Sequence, residues 1–107
     1  MSQEDIKAAV VKKALTLCED RIKNSPNIAV PGVLESIHAQ LEWLVSFFEG
    51  RNNERAKLHK LVFGHYAIRE LDERDEEFIE ALKKANYVAH QTGAGLKIDL
   101  REVGYES

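Results

Sequence analysis

Apolar residues recur at helical spacing along most of this 107-residue chain, and only two prolines interrupt them. Residues three or four apart share one face of an α-helix, so each run predicts an amphipathic helix turned toward a common core. In the first run, from about Gln3 to Lys23, Ile6, Val10, Ala14, Leu17 and Ile22 make the stripe, with Ala9 and Cys18 at its edge. Ser2 is placed to cap it, with Asp5 three residues on, and the cluster Asn24, Ser25, Pro26, Asn27 ends it. Pro31 suits the first turn of a second helix, whose broad face is Leu34, Ile37, Leu41, Leu44, Val45 and Phe48, with Gly50 as its natural terminator. Asn52 or Asn53 is the expected cap of a third helix with Leu58, Leu61, Val62, Ile68 and Leu71 inward. Asp72 or Asp75 opens a fourth, carrying Phe78, Ile79, Leu82, Ala85 and Ala89 as far as Thr92 and Gly93. Beyond Gly95 the period shortens: Leu96, Ile98 and Leu100 alternate with Lys97, Asp99 and Arg101. A lone strand has no pairing partner, so this segment is expected as an extended tail along the bundle. The expected fold is therefore all-α, one domain over residues 1–107, a bundle of about four helices with a short extended C-terminal tail.

Composition narrows the function classes. The formal net charge of −3 argues against non-specific nucleic-acid binding, which needs a basic surface to displace counterions. A single cysteine, Cys18, excludes an internal disulfide and a thiolate zinc site. The polar, acidic start Ser2, Gln3, Glu4, Asp5 does not read as an export signal, and the apolar patch from Trp43 to Phe48 is far short of a membrane span. The expectation is a cytoplasmic protein with no membrane partner.

No residue pattern here carries convincing catalytic chemistry. Glu35 and His38 have the i, i+3 spacing of a di-iron ligand pair, but that chemistry needs the motif twice, so no metal site and no cofactor are predicted. His59, His65 and His90 read as surface or boundary residues. Cys18 lacks a neighbouring base and reads as a small core residue. Gly93 and Gly95 follow a helix rather than preceding one, so they read as helix termination and not as a phosphate loop.

Charge is distributed more tellingly. From Arg69 to Glu80 seven acids (Glu70, Asp72, Glu73, Asp75, Glu76, Glu77 and Glu80) face two bases, a net of −5. From Arg51 to Lys60 four bases (Arg51, Arg55, Lys57 and Lys60) face Glu54 alone, a net of +3. Such blocks are either solvated faces or an acidic knob that steers a basic partner. Trp43, Phe47, Phe63, Tyr66 and Tyr87 are candidate aromatic anchors at the edge of the core.

Taken together, the segments resemble the small helical immunity proteins that neutralise type VI secretion toxins of the NAD(P)+ glycohydrolase kind. The likeness is strongest over residues 58–100. It is carried by Leu58 to Gly64 (LHKLVFG), Ala67 to Asp72 (AIRELD) with Asp75, Ala81 to Ala85 (ALKKA), Tyr87 and Val88, and Thr92 to Leu100 (TGAGLKIDL). The first helix, through Ala14 to Leu17 with Asp20 and Arg21, and the second, through Leu34 and Gln40 to Leu44, fit more loosely. The resemblance implies a non-enzymatic cytosolic protein that binds a toxin's catalytic domain and blocks its dinucleotide site, the toxin being a glycohydrolase or a related ADP-ribosyl-transfer enzyme. A helical adaptor that holds a partner helix in an apolar groove is the alternative.

Charge and spacing, not a family motif, place the expected partner-binding residues. They are Glu70, Asp72, Glu73, Asp75, Glu76 and Glu77, flanked by Tyr66 and Tyr87. A toxin surface that binds pyrophosphate is positive, and this acidic ridge would face it.

Overall fold

The computed structural model of the chain describes residues 2–104, and the backbone alone at residues 66–68. Four α-helices are seen among the described residues: α1 (Gln3–Asn24), α2 (Val33–Phe48), α3 (Phe63–Arg69) and α4 (Glu76–Gly93). Three short 3-10 turns punctuate them, at Pro26–Ile28, Arg55–Lys60 and Leu100–Val103.

Local chemistry accounts for most helix ends. The Ser2 hydroxyl accepts from the Asp5 N–H at 3.2 Å, and Glu4 and Asp5 lie in the first turn of α1 with Arg21 and Lys23 in its last. Gly32, at φ +91°, lets the chain turn sharply into α2, and the Glu35 carboxylate reaches back to its N–H at 3.2 Å. α2 stops where Gly50 takes the left-handed region at φ +80°. Asp75 caps α4 by accepting from the Phe78 N–H at 3.4 Å, and Gly95, at φ +74°, follows its end.

α1 is covered by α2 on one side and α4 on the other. Cys18 beside the Leu34 carbonyl and Lys12 beside Glu49 show that α2 runs antiparallel to α1. Arg21 beside Asp75 and Gln3 beside Ile98 show the same for α4. Val11, Ala14 and Cys18 of α1, Ile37, Leu41 and Leu44 of α2, and Phe78, Leu82, Ala85 and Val88 of α4 are wholly buried between them, with Phe63 of α3. Burying such side chains stabilises the fold by about 1.5–3 kcal/mol for each large aliphatic or aromatic group. Because α1 is flanked on both sides, Val11 and Cys18 sit at its centre, whereas Leu17 and Ile22, expected there, are half-buried.

The expected third helix is a correction. Residues 55–60 form a 3-10 turn, and α3 begins afresh at Phe63. The Gln40 side chain, projecting from α2, accepts from the N–H groups of Val62 (2.7 Å) and Phe63 (3.1 Å), so a tertiary contact caps α3 where Asn52 or Asn53 was expected. Leu58 and Leu71 are buried as predicted, Leu61 is half-buried and Val62 is exposed. Ile68 falls outside the described side chains.

The tail is extended over residues 96–99 before its terminal turn. Gln3 takes the place of a missing strand: its amide donates to the Ile98 carbonyl at 3.1 Å and accepts from the Ile98 N–H at 3.2 Å. Ile98 is buried as the alternation predicts, but Leu96 points outward and is 56% exposed.

Candidate partner-binding surface

The acidic ridge lies where α1 ends and α4 begins. An antiparallel bridge between Ala29 and Leu71, with the Asp72 N–H donating to the Ile28 carbonyl at 2.8 Å, holds the α3–α4 connection against the segment before α2. Arg21, reaching across from α1, donates to Asp75 through Nε (2.7 Å) and Nη2 (3.0 Å), to Glu77 through Nη2 (3.1 Å) and to Asp20 through Nη1 (2.6 Å). Both Arg21 and Asp75 side chains are only 14% exposed. The Arg21 guanidinium holds the Asp75 carboxyl below the usual carboxylate range, against the opposing effect of burial. Arg74 folds back onto Asp72 with contacts of 2.7 and 3.1 Å, and these hydrogen bonds bring the Asp72 carboxyl down to about 2.

The predicted residues thus separate into two groups. Glu70, Glu73 and Glu76 are exposed, and among the described residues no cation lies in ion-pair reach of them. Asp72, Asp75 and Glu77 are held by Arg74 or Arg21, and Asp75 also caps α4. The Tyr87 hydroxyl accepts from the Asp99 N–H at 2.8 Å, so this half-buried ring ties α4 to the tail. The Tyr66 side chain lies outside the described residues. Arg21, absent from the expected site, organises it; its partners lie 54 and 56 residues away, beyond any local pattern.

Glu35 and His38 do not come together. Glu35 caps α2, while His38 is bracketed by Glu19 through Nε2 and Glu42 through Nδ1, each at 3.2 Å. Among the described residues no group of three or more His, Cys, Asp or Glu side chains is arranged to hold a metal ion. Cys18 is fully buried, and burial, with the Glu19 and Glu35 charges, pushes its thiol up to about 12, which suits a core residue and not a nucleophile.

At the opposite end of the bundle, the start of α1, the end of α2 and the exit of α4 enclose an open groove of about 740 Å³. Phe47, Phe48 and Leu96 form its apolar walls, and Lys7, Arg55 and Lys97 supply cations against Glu4. Trp43 stacks on Phe47 at 5.5 Å, and the Lys57 ammonium lies 5.1 Å above the Trp43 ring.

The model of the Tsi6 family matches residues 7–91. The immune protein Tsi6 of Pseudomonas aeruginosa is 41% identical over 90 residues, which cover 84% of this chain and 93% of that protein. A solved structure of Tse6 in complex with Tsi6 contains a chain that is 40% identical, with a TM-score of 0.75, covering 88% of this chain and 97% of its own length. The solution structure of an uncharacterized protein from Pseudomonas aeruginosa PAO1 is 38% identical, with a TM-score of 0.70, covering 94% and 99% respectively.

Proposed function

The chain belongs to the Tsi6 family, and from that premise we propose that it is an immunity protein: it binds a cognate toxin and silences it stoichiometrically. The observation that carries the reading is the 41% identity to immune protein Tsi6 over nearly the whole of that relative. The relative's structure in complex with Tse6 supports a toxin protein as the partner.

The finer reading is that the toxin is an interbacterial type VI secretion effector consuming NAD(P)+ in the cytoplasm. On this reading the immunity protein closes the dinucleotide site without catalysis of its own. The exposed carboxylates Glu70, Glu73 and Glu76 suit a toxin surface that is positive because it binds pyrophosphate, with Asp72, Asp75 and Glu77 beside them. No helix among the described residues is long and apolar enough to cross a membrane.

The adaptor alternative calls for a continuous exposed apolar strip. Among the described residues the large exposed hydrophobics are Val30, Val62 and Leu96, on three separate segments. The deciding experiment measures NAD+ consumption by the toxin domain encoded beside this chain, with and without one equivalent of the protein. Complete inhibition near one-to-one is expected. Undiminished turnover in the presence of folded protein would remove the immunity reading.

A further inference from the structure

The bundle carries opposite charge at its two ends, and both ends share residues of α1. Lys7 lines the groove and Arg21 organises the ridge; fourteen residues at 1.5 Å per residue separate them by about 21 Å. Around the ridge, residues 69–80 have a net charge of −5, while residues 51–60, which supply Arg55 to the groove, have a net charge of +3. Each end also bears one exposed apolar side chain. Val30 follows directly on Ala29, which is bridged to Leu71 of the acidic end, and Leu96 lines the groove; each is 56% exposed.

The groove also holds a group that lacks a partner. Thr92 lines it, is only 6% exposed, and its hydroxyl has no hydrogen-bond partner among the described residues. That hydroxyl is sealed beneath the surface, so the cations that can meet an incoming acceptor are those of Arg55 and Lys97, with Lys7 already paired to Glu4 at 3.2 Å. The groove therefore fits a carboxylate surface with an apolar neighbour.

We propose that this surface is the acidic end of a second copy of the chain, so that the protein self-associates head to tail. The contact is heterologous, joining two different patches, and leaves a free patch at each end of the assembly. Exposed ion pairs each contribute little in water, so the association is weak and salt-sensitive. It covers the same carboxylates that the immunity reading assigns to the toxin, and bound toxin displaces the second copy. The self-association itself does not depend on that reading.

Sedimentation equilibrium on the full chain tests it. At about 20 mM salt the weight-average mass rises with concentration above the 12.2 kDa monomer, and at about 500 mM it returns to that value. Glu73→Lys/Glu76→Lys and Lys57→Glu/Lys97→Glu each stay monomeric alone, with unchanged circular dichroism, because each removes most of the charge complementarity from one of the two patches while leaving the other intact. Mixing the two in equal amounts restores the association. A wild-type mass that stays at the monomer value in low salt overturns the proposal, as does a mixture that remains monomeric. Neither result depends on toxin inhibition, which is read in the separate NAD+ assay.

Discussion

Arg21 and Asp75 meet across the bundle in a two-pronged ion pair, Nε to Oδ2 at 2.7 Å and Nη2 to Oδ1 at 3.0 Å, locking the end of α1 to the first turn of α4. The same carboxylate caps the helix, so one contact sets both the position and the start of α4. The exposed Glu76 belongs to the turn that this pair fixes.

Arg21→Ala should therefore destabilise the protein more than any other removal of a charged side chain. It leaves Asp20, Asp75 and Glu77 together without their cation. A loss of about 1.5–3 kcal/mol is expected, read as a lower urea midpoint. A change within about 0.5 kcal/mol would show that solvent replaces the pair.

Acid should unfold the protein in a narrow window. Asp75 is held low by Arg21, Asp72 by Arg74, Asp99 by Arg101, Glu49 by Lys12, and Asp20 by Asn24 and then Arg21. Carboxyls depressed in the folded state bind fewer protons than in the unfolded chain, so their contribution is complete above the ordinary range and lost as pH falls through the folded values. Stability should hold from neutral pH to about 5 and decline between about 4 and 2. Asp75→Asn, less stable at neutral pH, should show a shallower decline in urea midpoints over that interval.

Gln40→Ala should loosen α3 while leaving α1 and α2 intact. It removes the acceptor shared by Val62 and Phe63, at a cost of about 1–2 kcal/mol by comparison with helix caps. Hydrogen exchange at the amides of residues 62–65 should accelerate selectively. Uniform acceleration across all helices would mean that α3 does not open separately.

Glu70→Lys/Glu73→Lys/Glu76→Lys should weaken toxin binding at least about tenfold, chiefly through a slower, salt-sensitive association rate, with the thermal midpoint unchanged. The variant spares Asp72, Asp75 and Glu77, which are tied to arginines. Unaltered toxin affinity would place the contact surface elsewhere on the bundle.

Cys18 should resist thiol reagents in the native protein and react fully in concentrated guanidinium. Its side chain is wholly buried, and its thiol is pushed up to about 12. Rapid native-state labelling would show that the α1–α2 seam opens readily.

Features whose physics is local were legible in the residues themselves. The extents of α1, α2 and α4 follow from apolar spacing, the roles of Ser2 and Gly50 follow from capping rules that act within one turn, and those rules narrowed the cap of α4 to Asp72 or Asp75. The order and spacing of the segments over residues 58–100 also carried the family resemblance. What tertiary structure alone decided involves partners far apart in the chain. Gln40 starts α3 from 22 and 23 residues away, Arg21 ties down Asp75 and Glu77 of the acidic cluster from the other side of the bundle, and Gln3 secures the tail from 95 residues away. A helical period reports only the face a residue shares with its neighbours three and four positions on. Which of several identical carboxylates meets a cation depends on how helices stack, and that is settled by the packed core rather than by any spacing in the sequence.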